Sequence, residues 1–171
     1  MRTLLLALIL IVPGVGPTKY CYFLLDFSGS MSQKDKEKMI GYFKYCIQSY
    51  TDDGYIKLAI FDTECIAYSK KWIKLPNAHE YKKMLNWLSN IDRDGATDIA
   101  NAISVALNEK KNELSVFTVT DGEHNTGTWD RVYEAQKKRE YPAPLIFLTF
   151  GKNRKLISLS KKYGGKLLEE R

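Results

Sequence analysis

The sequence predicts an α/β domain with a doubly wound, Rossmann-like, mostly parallel central sheet, one antiparallel edge strand, and helices on both faces. Two observations lead there. Apolar runs without polar alternation, such as Tyr20 to Leu25 and Leu114 to Thr120, have the composition of strands buried on both faces. Most of them are followed by segments whose apolar residues recur at spacings of three and four, as helices require. The chain has 171 residues, 44% hydrophobic and 27% charged, which suits one domain with a sizeable core and leaves no room for a second.

At the N-terminus, Arg2, the apolar run Leu4 to Val12 and the sequence Pro-Gly-Val-Gly-Pro form the charged, apolar and small-residue regions of a secretory signal. Residues 1–17 are therefore expected to be removed if the protein is exported, and residues 18–171 to form the domain. The protein is then secreted or extracytoplasmic, and otherwise cytoplasmic. Pro17 is a poor neighbour for a cut after Gly16, so an uncleaved anchor or a packed N-terminal segment stays open. The run is too short for an ordinary membrane span.

The first strand is expected at Tyr20 to Leu25. Residues 33 to 50 place Met39, Tyr42, Phe43, Cys46, Ile47 and Tyr50 on one stripe, giving a helix with one buried face. The runs Tyr55 to Phe61 and Cys65 to Tyr68, linked by Asp62-Thr63, read as a hairpin whose second arm is the antiparallel edge. Helices follow at 79 to 89, with Tyr81, Met84, Leu85 and Leu88, and at 98 to 109, with Ile99, Ala102, Ile103, Ala106 and Leu107. Strands at Leu114 to Thr120, Leu145 to Phe150 and Lys166 to Glu169 alternate with the more polar helices at 128 to 139 and 153 to 163. Most aromatic residues fall on these strand and helix periods and are assigned to the core, as are Trp72 and Trp87.

The formal net charge of +6 comes from basic residues scattered in twos and threes, such as Lys70-Lys71 and Lys137-Lys138-Arg139. That pattern belongs to a solvated surface, and no nucleic acid partner is expected. Cys21, Cys46 and Cys65 include no CxxC and no Cys/His spacing for zinc, so they are read as buried free thiols.

In a doubly wound sheet, ligands bind at the carboxyl ends of the strands, where the strand order reverses. Three loops at that edge carry polar groups: Asp26-Phe27-Ser28-Gly29-Ser30, Asp94-Gly95-Ala96-Thr97-Asp98 and Thr120-Asp121-Gly122-Glu123. Their carboxylates and hydroxyls are hard oxygen donors of the kind that Mg2+ or Mn2+ prefers. Helix capping is the simpler reading of Ser28, Ser30, Thr97 and Asp98. It does not explain why all three loops fall on one edge.

These residues resemble the von Willebrand factor type A domain family. DFSGS matches its Asp-x-Ser-x-Ser signature, Thr97 within GATD its threonine loop, and Asp121 within VTDGE its aspartate loop. The likeness spans about residues 18 to 170, and the tail KKYGGKLLEE resembles the family's last helix, turn and short strand. Ala96 departs from the second glycine that many members carry.

The resemblance implies a metal-ion-dependent adhesion site formed by Asp26, Ser28, Ser30, Thr97 and Asp121, on exposed loops. Ser28 and Ser30 would coordinate directly. Thr97 would do so directly when a partner is bound and otherwise through water, and the two aspartates would hold the metal's waters or bind it. It further implies a monomeric protein-binding module, not an enzyme, that engages an Asp or Glu of a partner protein. The family's strand order also places a strand between Cys21 and Cys65, too far apart for a disulfide, so only a pairing with Cys46 stays open.

The alternative is a Mg2+-dependent phosphotransferase or hydrolase with Asp26 as nucleophile. That chemistry commonly needs a second acid two positions on, and Ser28 stands there. Glu123 is expected at the rim more than among the ligands. His124 and Asn125 are open between a partner-facing rim and a solvated loop.

Overall fold

The computed structural model describes residues 19–48, 54–151 and 153–170. The signal-peptide reading of residues 1–17 and the helical placement of Tyr50 lie outside them. The elements run β1 (Tyr20–Asp26), α1 (Gln33–Gln48), β2 (Gly54–Phe61), β3 (Cys65–Ala67), β4 (Ile73–Leu75), α2 (Ala78–Ser89), α3 (Ile99–Leu107), β5 (Leu114–Thr120), α4 (Asp130–Lys137), β6 (Leu145–Thr149), α5 (Arg154–Lys162) and β7 (Leu167–Glu169).

The strand order is β3-β2-β1-β5-β6-β7, and β1, β2, β5, β6 and β7 are parallel to one another. The fold class is the one the sequence predicts. Strand β3 forms the antiparallel edge on the upper half of β2, pairing Phe61 with Cys65 and Ala59 with Ala67. Strand β4 extends that edge along the lower half, pairing Gly54 with Leu75 and Ile56 with Ile73. Its three residues alternate buried, exposed, buried and end against Pro76, too short a run for a periodicity to show.

Alternation along the strands sorts the core into two layers. Phe23, Leu25, Leu58, Ile60, Phe117 and Val119 face one side, where Met39 and Phe43 of α1 and Met84 and Leu88 of α2 cover them. Tyr22, Leu24, Phe61, Val116 and Phe147 face the other, against α3, α4 and α5. Each fully buried side chain of this kind contributes about 1.5–3 kcal/mol through removal from water. Helix α3 is buried along its length: Ile99, Ala100, Ala102, Ile103 and Ala106 are all fully out of solvent.

Chain direction along the sheet reverses between β1 and β5: β1 leads to β2 on one side, while β5 lies on the other. The carboxyl ends of these two central strands therefore frame the switch-point crevice. Asp26 ends β1, Asp121 follows β5, and Thr97 precedes α3 at the same edge.

Cys21, Cys46 and Cys65 are free thiols, and burial pushes each of them up to about 12. Among the described residues no helix is long and apolar enough to cross a membrane.

Candidate metal centre

The apolar strand β1 carries Asp26 fully out of solvent at its last position. A buried carboxylate must have its oxygens satisfied. The Ser28 amide and hydroxyl both donate to Asp26 Oδ1, at 3.0 and 2.6 Å. The Thr120 hydroxyl, from the end of β5, donates to Oδ2 at 2.5 Å. These donors are neutral. Burial pushes the Asp26 carboxyl up to about 6; the Ser28 and Thr120 bonds oppose the rise and the nearby Asp121 charge adds to it.

From Ser28 the chain of oxygens continues outward. Its hydroxyl lies 3.0 Å from the Ser30 hydroxyl, which lies 3.4 Å from Thr97 Oγ1. Ser28 and Thr97 are fully buried, whereas Ser30 is exposed and Asp121 half-buried. The expectation of a site on exposed loops is therefore corrected: the loops pack on one another, and only Ser30 and Asp121 reach solvent. Close approach is possible because residue 29 is glycine. A Cβ there would lie 2.6 Å from the Asp94 carbonyl, and the Gly29 amide instead donates to the Gly95 carbonyl at 3.0 Å.

Asp121 stands on the far side of the crevice, its Oδ1 accepting from the Glu123 amide at 2.9 Å. The next residue, Gly122, has φ of +87°, a conformation that side chains resist, and its carbonyl accepts from the Asn153 side chain. A Cβ at Gly151 would lie 2.7 Å from the Asp121 carbonyl, so the loop after β6 braces this aspartate from outside.

Capping accounts for Asp98, whose carboxylate accepts from the Asn101 amide at 2.8 Å at the start of α3. It does not account for Ser28 or Ser30. Before α1 that role falls to Ser32, whose hydroxyl accepts from the Asp35 amide at 3.2 Å.

Among the described residues no three His, Cys, Asp or Glu side chains gather as a metal-holding group. What the hydrogen bonds link is a different donor set, the Asp26 carboxylate and three hydroxyls, with Asp121 near enough for its charge to act on Asp26. Adjacent ligands of a six-coordinate cation with bonds of 2.0–2.1 Å lie about 2.9 Å apart. The 2.6, 3.0 and 3.4 Å steps from Asp26 through Ser28 and Ser30 to Thr97 have that scale, so the residues fit a small hard cation.

Sequence reasoning placed Thr120 in the third loop but gave it no role, and it is the buried hydroxyl that ties β5 to Asp26. Its signal was a polar residue closing an apolar strand beside the switch point. His124 is half-buried: its ring packs on Trp129 with centroids 4.4 Å apart, and burial holds its pKa below the ordinary value. Glu123 is exposed at the edge.

A doubly wound, mostly parallel sheet with oxygen-bearing side chains at its switch point describes a class of α/β domains. Within that class the chain belongs to the von Willebrand factor type A domain family, whose model matches residues 21–124. No curated protein matches the sequence.

Solved structures share the fold at low identity. A von Willebrand factor type A protein from Catenulispora acidiphila superposes with a TM-score of 0.72 at 14% identity, over 90% of this chain and 38% of that one. An aerotolerance-related membrane protein from Bacteroides fragilis gives 0.67 at 14% identity, over 89% and 91%. Proximal thread matrix protein 1 from the mussel byssus, solved with a zinc-occupied MIDAS motif, gives 0.64 at 14% identity, over 90% and 44%. This chain thus spans less than half the length of the first and third.

Proposed function

We propose that the protein is a metal-dependent protein-binding module. Asp26, Ser28, Ser30, Thr97 and Asp121 hold Mg2+ or Mn2+, and an Asp or Glu of a partner protein completes the site. The observation that carries this reading is the run of oxygens from buried Asp26 to Thr97 at the spacing of adjacent ligands. A bound cation would supply positive charge for an incoming carboxylate. The zinc-occupied motif of the mussel protein is consistent with it.

The chain's own groups divide the work. Asp26, anchored to β5 through Thr120, and Asp121 would bring negative charge to a bound cation. Ser28, Ser30 and Thr97 contribute neutral oxygens. A set with only two carboxylates leaves a cation's charge incompletely cancelled, so an anionic side chain from outside is attracted to the exposed side, where Ser30 lies.

Hydrolysis or phosphoryl transfer is the weaker reading. Asp26 is out of solvent, and the position two residues on, where such chemistry commonly places a second acid, is Ser28, whose hydroxyl donates to Asp26 and is no proton-transfer acid. The test is capture of partner proteins on immobilised full chain in Mg2+ and in chelator, followed by titration of a captured partner against wild type and Asp26→Asn. Mg2+-dependent binding that Asp26→Asn loses is expected. Equal affinity in all four conditions would sink the reading.

A further inference from the structure

We propose that Asp62 and Arg93 are positioning residues for Thr97, an inference that rests on the reading of Thr97 as a metal-site hydroxyl. Thr97 is delivered by residues 91–98, a stretch without helix or strand between α2 and α3. Such a segment has no repeating backbone hydrogen bonds and holds one conformation only if other groups fix it.

The fixing comes from the turn after β2. Asp62, with 3% of its surface exposed, accepts from Arg93 Nε at 2.6 Å and from Arg93 Nη2 at 2.9 Å. The backbone of the same aspartate holds the other end of the segment: its carbonyl accepts from the Asp98 amide at 2.9 Å. Between these ends, Thr63 donates to the Ala96 carbonyl at 3.3 Å. Gly95 passes directly against the pair, since a Cβ there would lie 2.8 Å from Asp62 Oδ2 and 2.8 Å from Thr63 Oγ1.

The segment is gripped on its opposite side by the metal loop, through the Gly29 amide on the Gly95 carbonyl, at 3.0 Å. Thr97 therefore sits between two anchors, and its reach to Ser30 is set by where Asp62 and Arg93 hold residues 93–98. An exposed ion pair constrains nothing of this kind. Here the carboxylate is buried, the guanidinium meets it with two parallel bonds, and both partners touch the same eight-residue path.

Hydrogen exchange of the Gly29 and Asp98 amides, measured by NMR in chelator, tests the clamp without any metal. Arg93→Ala removes the fork, and Arg93→Lys keeps the charge but cannot present two parallel donors. Both substitutions are expected to speed exchange at these two amides by about tenfold or more while amides of β1 and β5 are unchanged. A Mn2+ titration followed by electron paramagnetic resonance reads the consequence. Arg93→Lys is expected to weaken Mn2+ by roughly threefold in the wild-type background and to do nothing further in Thr97→Ala, because one effect runs through the other.

Unchanged exchange at Gly29 and Asp98 in both variants, or faster exchange spread equally through β1 and β5, would overturn the proposal. So would equal Mn2+ losses in the two backgrounds. Failure of the wild-type chain to bind Mn2+ would remove the functional reading, while the exchange result still decides whether the pair holds the loop.

Discussion

Asp26 and Asp62 follow neighbouring parallel strands at almost the same height, for Asp26 pairs in register with Phe61. Both are nearly or fully buried, yet their electrostatics are opposite. At Asp62 burial pushes the carboxyl up, but the Arg93 fork with the Glu64 and Gly95 backbone outweighs it and holds the group below the ordinary carboxylate value. At Asp26 burial prevails, because Ser28 and Thr120 offer hydrogen bonds without charge, and the carboxyl rises to about 6. The fold pairs one carboxylate with a guanidinium and gives the other only neutral donors.

The largest expected effect comes from neutralising the second of these. Asp26→Asn should weaken Mg2+ or Mn2+ binding by about a hundredfold, on the order of 3 kcal/mol, as the loss of a charge-assisted contact implies. Calorimetric titration checks it. Addition of Mg2+ at about a hundred times its dissociation constant should raise wild-type stability by roughly 2.7 kcal/mol and leave the variant unchanged. A variant that still binds at wild-type strength would erase the contrast between the two aspartates.

The pH dependence of the metal-free protein follows next, and the two carboxyls pull in opposite directions. Asp26 has a raised folded value, so between about 4 and 6 the folded chain binds a proton that the unfolded chain has released. Stability from this group is therefore greatest at low pH and falls as pH rises through that window, by up to about 3 kcal/mol. Asp62 has a lowered value, so its contribution is present above the unfolded carboxylate pKa and is lost only as pH falls through the lower folded value. Urea unfolding in chelator should show wild type more stable at pH 5 than at pH 7. Asp26→Asn should remove that slope and, at pH 7, be more stable than wild type.

A smaller effect is expected where no charge is involved. Thr97→Ala should keep Mg2+ within severalfold but lower partner affinity by about tenfold, the worth of one neutral hydrogen-bonding group. Surface plasmon resonance on a captured partner reads both. The smallest effect concerns His124, which packs on Trp129 and is not assigned to the ligands. His124→Ala should cost about 1 kcal/mol of stability, as an aromatic pair does, with Mn2+ affinity unchanged.

The placement of much of the candidate site was legible because its signals are local. Asp26, Ser28 and Ser30 lie within five residues at the end of an apolar run, and strand period and chain direction place them at the carboxyl edge. Thr97 and Asp121 could be read from their positions before a helix and after a strand. The burial of Asp26, Ser28 and Thr97 was not legible, since it depends on three loops packing together and on Gly29 letting one pass within contact of the next.

The amino-acid sequence by itself determined the element order apart from β4, the sheet type and the oxygen chemistry of the switch point, because periodicity and residue type act over a few neighbouring positions. Only the tertiary structure decided which carboxylate found a cation of its own. Arg93 meets Asp62 from 31 residues away, and Thr120 meets Asp26 from 94. No local pattern marks such partners. They are chosen by strand order and loop packing, and through burial those choices set the charge on each aspartate.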